Sequence, residues 1–302
     1  MVKILDHIFL MRPTLLITSW GFLLAGYYRA TQKFFHLSKD FWIIFIAYTL
    51  LCGAGYILNQ IEDIESDKIN RKLFLLSEGI IPVSHAYLQT LLLIIGAFIL
   101  IMKKSTEIKI LFTLSLIMAM LYSLPPFRWK DKPFLDLFLN STGYGIVNFL
   151  AGWSIAKDIT FSAFLNSLPY FFGVGAIFLL TTLLDIEGDK RVFKITTGIK
   201  LGIGNTLKLS YIFIVIAGVC AVLRGDWVAG TVAGTGIVLF LFPLINFNRK
   251  NCIMAQRITG FILILILSCI YPVFLIINSF LVVSMYFYYK KRFGISYPSF
   301  FK

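Results

Sequence analysis

Two pairs of aspartates are the residues most suited to bind a metal ion. In each pair the acids are four residues apart, at Asp63 and Asp67 and again at Asp185 and Asp189, and Asn59 precedes the first pair by four more. On a helix this spacing places side chains on one face, in neighbouring turns. Carboxylate and amide oxygens are hard ligands that suit Mg²⁺, which completes its coordination with water and phosphate oxygens. The spacing therefore predicts a magnesium site that uses both pairs.

The sequence around the first pair recurs around the second. Residues 63–72 align without gaps with residues 185–194 and are identical at six positions: Asp, Ile, Glu, Asp, Lys and Lys. One charged stretch of this kind usually marks a solvated loop, but two copies favour a shared function. The basic residues after each pair could bind a diphosphate, and the apolar flanks suggest a hydrocarbon substrate. Together these features predict metal-assisted departure of diphosphate from a lipid-soluble chain, with Glu62, Glu65 and Glu187 solvated or structural.

Composition indicates a membrane protein. The chain has 302 residues, of which 58% are hydrophobic, and its mean hydropathy of +0.84 lies outside the range of soluble globular proteins. Apolar stretches long enough to cross a bilayer recur along most of the chain. We therefore predict an all-α, polytopic protein whose helices surround a central cavity, as a single domain over residues 1–302. The nine predicted spans are Thr14–Tyr28, Phe41–Leu58, Ala86–Met102, Ile108–Tyr122, Phe134–Ile155, Ala163–Leu184, Leu209–Leu223, Trp227–Phe247 and Ile258–Tyr288. The last is long for one crossing, so either Pro272 kinks it or its end lies along the membrane interface.

Four of these spans lie between the two acidic motifs, which indicates two repeated four-helix units followed by a terminal helix. The net charge is +13, and the 28 lysines and arginines lie in or beside the breaks between apolar stretches. This arrangement indicates membrane topology and contact with the lipid bilayer; nucleic-acid binding, which needs a soluble basic face, is not expected. The positive-inside bias places both motifs on the cytoplasmic side of the cell membrane. Nine spans then place the tail, with residues 290–292, on the opposite side.

A third candidate element is the loop that follows the fourth predicted span, from Tyr122 to Lys130. Pro125 and Pro126 end the preceding helix, so Arg128 and Lys130 are expected at the membrane level of the aspartates. A plain turn with positive-inside residues would have the same composition. Beside the acidic motifs, a phosphate clamp is equally well supported.

The fifth predicted span carries a polar stripe at every fourth residue, Asn140, Tyr144 and Asn148. Polar groups within a membrane span normally face the interior of the bundle. These three could contact an acceptor substrate or form hydrogen bonds between helices, and the sequence leaves both interpretations open.

With these motifs the chain resembles the UbiA superfamily of intramembrane prenyltransferases, whose two motifs read NxxxDxxxD and DxxxD. The resemblance covers nearly the whole chain, including Arg12-Pro13, both acidic motifs, the Tyr-Ser…Pro-Pro-x-Arg-x-Lys loop and a Tyr-Pro near the C-terminus. It implies a bundle of nine helices, two Mg²⁺ ions held by the two motifs, a polyprenyl diphosphate donor, and an acceptor that attacks C1 of the prenyl chain.

The resemblance also implies roles for single residues. Metal binding and catalysis would fall to Asp63, Asp67, Asp185 and Asp189. The diphosphate would contact Asn59, Lys68, Arg71, Arg128, Lys130 and Lys190, and Tyr122 would line the reaction cavity. One departure concerns Arg71: many members continue the first motif with Asn-Arg-Pro-x-Arg-Pro, whereas residues 70–75 read Asn-Arg-Lys-Leu-Phe-Leu here.

The wording of the motifs is most similar to the quinone, tocopherol and chlorophyll branch, which implies an aromatic acceptor such as a quinone or tocopherol precursor. A glycerol-phosphate lipid or a tetrapyrrole is the alternative acceptor. A small-molecule transporter is the non-enzyme alternative, although its ionisable residues would be expected near mid-span. A CDP-alcohol phosphotransferase would carry all its aspartates in one short stretch, which this chain does not.

Overall fold

The structure, a computed structural model, describes residues 4–69, 74–191, 194–295 and 297. In these residues all regular secondary structure is helical, so the predicted all-α class is confirmed. The helices are α1 (Ile4–Leu10), α2 (Pro13–Thr31), α3 (Lys39–Glu62), α4 (Ile64–Ile69), α5 (Phe74–Ser77), α6 (Val83–Ile101), α7 (Thr106–Ser123), α8 (Leu135–Asn140), α9 (Phe149–Trp153), α10 (Phe161–Arg191), α11 (Thr197–Leu223), α12 (Trp227–Ile245), α13 (Arg249–Ile270) and α14 (Pro272–Phe293). A 3₁₀ turn covers Trp129–Asp131, and a π-helical segment, Ser141–Asn148, joins α8 to α9.

Eight of the described helices are each long and apolar enough to cross a membrane: α3, α6, α7 and the five from α10 to α14. Helices α1 and α2 meet at a bend of 50° and make a ninth candidate span when they are counted together. The prediction of about nine spans is confirmed. The predicted fifth span, Phe134–Ile155, corresponds to the broken α8–α9 segment, which this count leaves out. The first repeated unit consists of α2, α3, α6 and α7, and the second of the α8–α9 segment, α10, α11 and α12. In each unit, an acidic motif lies at the end of the second helix.

Polar side chains fix where several spans begin. Ser38, Ser105, Asp226 and Asn248 each accept a hydrogen bond from the backbone N–H three residues further on, at the starts of α3, α7, α12 and α13. Such caps satisfy an N–H group that has no partner inside the helix. The sequence thus places its short polar residues at the boundaries between apolar stretches.

Two glycines allow α2 and α9 to cross in backbone contact. A Cβ atom on Gly152 would lie 1.8 Å from the carbonyl oxygen of Leu23, and one on Gly26 would lie 1.8 Å from that of Phe149. Small residues permit this approach between membrane helices, where association depends on close packing. The crossing joins the first repeated unit to the second.

The long ninth predicted span, Ile258–Tyr288, is two helices that meet at the proline considered as a kink. Helix α13 ends at Ile270 and α14 begins at Pro272, because proline lacks the N–H that a helix interior needs but suits a first turn. At this junction the hydroxyl of Tyr271 donates to the carbonyl of Lys33, just beyond the end of α2 (3.2 Å). At the other end of α14, Tyr288 donates to Asp6 in α1 (2.5 Å). Helix α14 therefore returns to the end of the bundle at which α2 begins.

This return brings the C-terminal cations to the end of the bundle that carries the acidic motifs. Arg292 lies 3.3 Å from Asp6. Gln60, which precedes the first motif aspartate by three residues, donates to the carbonyl of Leu10 at the end of α1 (2.7 Å). The predicted placement of residues 290–292 on the opposite side is therefore wrong, and the additional helix is the reason.

Replacing Gly152 with alanine should weaken the crossing of α2 and α9. The new Cβ must displace a backbone carbonyl, so we expect the free energy of unfolding to fall by about 1–3 kcal/mol. Gly234, on α12, is the matched control because a Cβ there meets no atom within 4 Å; Gly234→Ala should leave stability unchanged or slightly raised. Thermal unfolding in detergent measures both variants. Equal stability of the two would contradict a close contact at Gly152.

Candidate active site

The first motif lies where α3 ends, not inside a continuous helix. Asp63 has φ −105° and ψ 8°, and α4 begins at the next residue. The N–H of Asp63 donates to the carbonyl of Gln60, three residues earlier (3.3 Å), a 3₁₀-type bond that tightens the last turn of α3. The prediction that Asn59, Asp63 and Asp67 share one unbroken helical face is therefore wrong. Asp67 belongs to a separate short helix.

The second motif does lie within a continuous helix. Asp185 and Asp189 are both inside α10 and half-buried. Glu187, between them, is exposed, as is Glu65 in the first motif, which agrees with the prediction that these glutamates point away from the site. The two motifs thus share their spacing but differ in backbone conformation.

Asp63 is held between two lysines from different parts of the chain. Lys130 Nζ lies 2.8 Å from Asp63 Oδ2, and Lys194 Nζ lies 3.1 Å from Asp63 Oδ1. Burial raises the pKa of the Asp63 carboxyl, but the charges of Lys130 and Lys194 together lower it more, so that its pKa lies below the usual value. Asp63 is therefore ionised at neutral pH and neutralised by ammonium groups on both of its oxygens.

Lys130 also connects the predicted loop to Asn59. Its ammonium group, buried at 7% exposure, donates to Asn59 Oδ1 (2.9 Å), which also accepts from Ser123 (3.4 Å). Burial lowers the pKa of Lys130, and the charge of Asp63 only partly restores it. Three of the predicted site residues, Asn59, Asp63 and Lys130, are thus in direct contact.

Arg128 lies at the edge of this cluster. It has a left-handed backbone (φ 38°), and its N–H donates to the carbonyl of Leu124 (3.0 Å) while Nε donates to Asp131 (2.9 Å). Its terminal nitrogens lie 4.0 Å from Glu62 and from Asp63. Helix α7 ends at Ser123, before the two prolines, as predicted. A left-handed non-glycine residue is unfavourable and persists where surrounding contacts impose it.

The remaining predicted residues differ in exposure. Lys68 and Lys190 are exposed, and Asp67 is half-buried. Tyr122 is half-buried, and its hydroxyl accepts from Asn140 (3.1 Å). Arg71 lies outside the described residues.

Sequence reasoning missed Lys194 as a site residue. It lies five residues after Asp189, in the segment that leads to α11, and it also approaches Asp131 (3.9 Å). The alignment of the two motifs ends at this lysine, which is identical to Lys72 in the first copy. That identity was the one available signal.

An apolar cavity of about 650 Å³ lies between α2, α10, α11, α12 and α13, a volume typical of small-molecule sites. On α10 it is lined by Pro169, Gly173, Ile177 and Thr181, and Asp185 is the next residue in this series of four-residue steps. Thr181 donates to Gln256 of α13 (3.0 Å) at this end. The lining of the cavity on α10 therefore ends at Thr181, about one helical turn from Asp185.

The chemistry of the two motifs suits Mg²⁺. The described residues contain no group of three His, Cys, Asp or Glu placed to hold a metal ion. The motifs offer hard carboxylate and amide oxygens of the kind that Mg²⁺ prefers; at Asp63 the ion would displace the lysine ammonium groups now 2.8 and 3.1 Å from the carboxylate. The residues present therefore fit a hard cation.

A sequence profile of the UbiA prenyltransferase family matches residues 15–253, most of the chain. The chain belongs to the UbiA prenyltransferase family. The solved structure of a UbiA homologue from Archaeoglobus fulgidus, described as bound to GPP and Mg²⁺, covers 87% of this chain and 97% of that one, with a TM-score of 0.69 and 18% identity. The shared UbiA fold confirms the predicted architecture.

Named members of the UbiA family are similar over part of their length. A probable homogentisate phytyltransferase 2 from Oryza sativa subsp. japonica is 32% identical over 181 residues, which are 55% of this chain and 48% of the rice protein. A 2-acyl-4-prenylphloroglucinol 6-prenyltransferase from Humulus lupulus is 30% identical over 45% of this chain and 35% of its own. A digeranylgeranylglyceryl phosphate synthase from Thermococcus sibiricus is 29% identical over 74% and 76%. The chain thus spans half or less of the length of these two plant relatives.

Removing the Asp63 carboxylate should leave two lysine charges close together. We expect Asp63→Ala to lower the free energy of unfolding by about 2–4 kcal/mol, because the partners of a largely buried ion pair then lack compensation. Adding Lys130→Met to that variant should recover part of the loss. Thermal unfolding measures both changes.

The control is the exposed pair of Asp40 and Lys104, whose carboxylate is 62% exposed. Asp40→Ala should cost less than about 1 kcal/mol, as is usual for surface ion pairs. A loss at Asp63 no larger than the loss at Asp40 would show that the two-lysine arrangement does not stabilise the fold.

Proposed function

We propose that this protein transfers a prenyl group from a polyprenyl diphosphate to a membrane-associated aromatic acceptor, with Mg²⁺ as cofactor. The observation that carries the proposal is the position of the Asp63 cluster. Cations from both repeated units meet there, at the motif end of a bundle whose apolar cavity leads away from the second motif. A charged head with a hydrocarbon tail is the kind of substrate that such a site accommodates.

The diphosphate is assigned to the cations of this cluster. Arg128 can bind phosphate oxygens with its planar guanidinium, and Lys130 supplies a point charge. Lys68 and Lys190, together with Arg71, are the remaining candidates, and the exposure of Lys68 and Lys190 leaves both free to approach a ligand from the aqueous side. Asn59 orients Lys130 through its amide oxygen.

Mg²⁺ is assigned to Asp63, Asp67, Asp185 and Asp189; when bound, it stabilises negative charge on the diphosphate. During transfer the bond between C1 of the prenyl chain and oxygen breaks, and its electron pair remains on the diphosphate. C1 then bonds to a ring carbon of the acceptor, which loses a proton. Arg128 and Lys130 stabilise the leaving group, while the apolar lining of the cavity keeps water from the electron-poor carbon.

The acceptor is proposed to be aromatic because the motif wording resembles the quinone and tocopherol branch and because relatives are named for homogentisate and phloroglucinol acceptors. The similarity to the archaeal digeranylgeranylglyceryl phosphate synthase extends over more of the chain. A glycerol-phosphate lipid is therefore the second acceptor to test. The protein is proposed to lie in the cell membrane with its motifs in contact with the cytoplasm, an orientation that residues 290–292 reinforce through the positive-inside bias.

The decisive assay uses purified protein with labelled geranylgeranyl or farnesyl diphosphate. We expect Mg²⁺-dependent release of diphosphate, driven by one member of a panel of aromatic, tetrapyrrole and glycerol-phosphate acceptors. Asp185→Ala should abolish turnover while the protein remains folded, because a metal ligand is lost. Donor binding that is indifferent to Mg²⁺, or full turnover by Asp185→Ala, would contradict the assignment; transport of the compound instead would favour the transporter alternative.

The lining of the cavity indicates which residue limits the length of the donor's prenyl chain. Gly173 lies on the cavity wall, and a Cβ there meets no atom within 4 Å, so leucine fills open space without a clash. It stands twelve residues, or about 18 Å of helix, from Asp185. Gly173→Leu should raise KM for geranylgeranyl diphosphate about tenfold or more and leave dimethylallyl diphosphate nearly unaffected.

Gly234→Leu serves as the control, because that glycine also faces open space but does not line the cavity. It should change neither KM. If Gly173→Leu affected short and long donors equally, the cavity would not be the site of the tail.

A further inference from the structure

A buried carboxylate outside both motifs joins two segments of the site. Asp136, in the first turn of α8, is completely buried and accepts hydrogen bonds from the backbone N–H groups of Leu137 (2.7 Å) and Thr197 (2.8 Å). It also accepts from the hydroxyl of Thr197. Because Thr197 is the first residue of α11, Asp136 connects the start of α8 to the start of α11.

The start of α11 is held from two further directions. The hydroxyl of Thr197 accepts from the backbone N–H of Phe134 (2.7 Å). A Cβ on Gly198 would lie 2.5 Å from the hydroxyl oxygen of Thr182 in α10, so only glycine allows this approach. Thr182 precedes Asp185 by three residues. The start of α11 is thus fixed against the helix that carries the second motif.

Lys194 is three residues before Thr197, so the fixed start of α11 also restricts where Lys194 can lie. Its backbone N–H donates to the carbonyl of Asp189 (3.0 Å), and its Nζ reaches Asp63 (3.1 Å). The backbone of Lys194 is therefore held at Asp189, and Thr197, three residues further on, is held at Asp136. Asp136 also borders the other lysine segment, because its N–H donates to the carbonyl of Lys132 (3.1 Å), two residues after Lys130.

We propose that Lys194 is a diphosphate-binding residue and that Asp136 is the positioning residue that holds its segment at Asp63. The inference rests on the proposed function, since the ligand is the diphosphate of the donor. A lysine has a long, mobile side chain, and ordering it on binding costs conformational entropy. When the backbone around the lysine is already fixed, less conformational entropy is lost on binding the diphosphate.

A second buried aspartate provides a matched control for a merely structural role. Asp226 is 2% exposed, accepts from the N–H of Ala229 and from Tyr170 (both 3.0 Å), and pairs with Arg29 (3.2 Å). It caps α12 near the far end of the bundle. Replacing either aspartate removes a buried acceptor of backbone N–H groups, but only Asp136 borders the diphosphate cations.

The test measures binding of inorganic pyrophosphate in the presence of Mg²⁺, with the full-length protein in detergent. This probe has no tail and needs no acceptor. Lys194→Met and Asp136→Asn should each weaken pyrophosphate binding about tenfold, the scale of one hydrogen bond to a charged group. Asp226→Asn should lower thermal stability without weakening binding, and Lys208→Met, at an exposed position of α11, should change neither.

Two further variants separate positioning from general damage. In the Lys194→Met background, Asp136→Asn should cause little additional loss of affinity, because both changes act through the same lysine. Thr197→Ser keeps the hydroxyl and should bind pyrophosphate normally, whereas Thr197→Val should not. A full second loss in the double variant would overturn the role of Asp136.

The outcomes also separate this inference from the function on which it rests. Failure of the unaltered protein to bind pyrophosphate with Mg²⁺ would contradict the prenyltransferase assignment itself. Normal binding by the unaltered protein and by Lys194→Met would overturn the inference alone.

Discussion

An ionised carboxylate partly removed from water must be paired, and this requirement organises the motif end of the protein. Asp63 is paired by Lys130, from the loop after α7, and by Lys194, from the segment after α10. Lys130 follows the last helix of the first repeated unit and Lys194 lies inside the second, so the ion pairs connect the units where their motifs lie. Apolar packing alone would specify this arrangement poorly, because helices in lipid are not driven together by a hydrophobic effect. The backbone contact at Gly26 and Gly152 joins the same units elsewhere.

The irregular backbone of the protein is concentrated around this pairing. Helix α3 stops at Glu62, Arg128 takes a left-handed conformation, and α11 is preceded by a non-helical segment. Irregular backbone at the edge of a membrane requires that its polar groups find partners. They do so locally: the N–H of Asp63 donates to Gln60, that of Arg128 to Leu124, and that of Lys194 to Asp189. Short loops whose backbone groups are hydrogen-bonded locally can hold long cationic side chains close to one carboxylate.

The sequence was informative wherever a local rule dominates. Apolar length predicted the spans, the two prolines predicted the end of α7, and the four-residue spacing predicted an acidic site. It was misleading where a competing hydrogen bond or a contact distant in sequence determines the backbone conformation or the position of a side chain. The N–H of Asp63 bonds to Gln60, three residues earlier, and α3 ends there, although the spacing alone would continue the helix. Pro272 marked a possible kink in the last predicted span, but the return of α14 along the bundle depends on Tyr271 and Tyr288, whose partners lie at opposite ends. Lys194 could not be assigned, since its position depends on Asp136, which lies 58 residues earlier in the chain.

Hydrogen bonds between polar side chains also determine what the cavity can contain. The stripe of Asn140, Tyr144 and Asn148 bonds to Tyr122, Tyr56 and Tyr48, so these amides and hydroxyls serve contacts between helices. Of the polar groups that line the cavity, Thr181 and Gln256 bond to each other beside the second motif, and most of the remaining wall is aliphatic, aromatic or glycine. In the proposed reaction, an electron-poor carbon formed near Asp185 would face a wall with few competing nucleophiles, which leaves the acceptor as its partner. Charge at one end and apolar surface along the rest are the two properties that a diphosphate head and a prenyl tail require of one site.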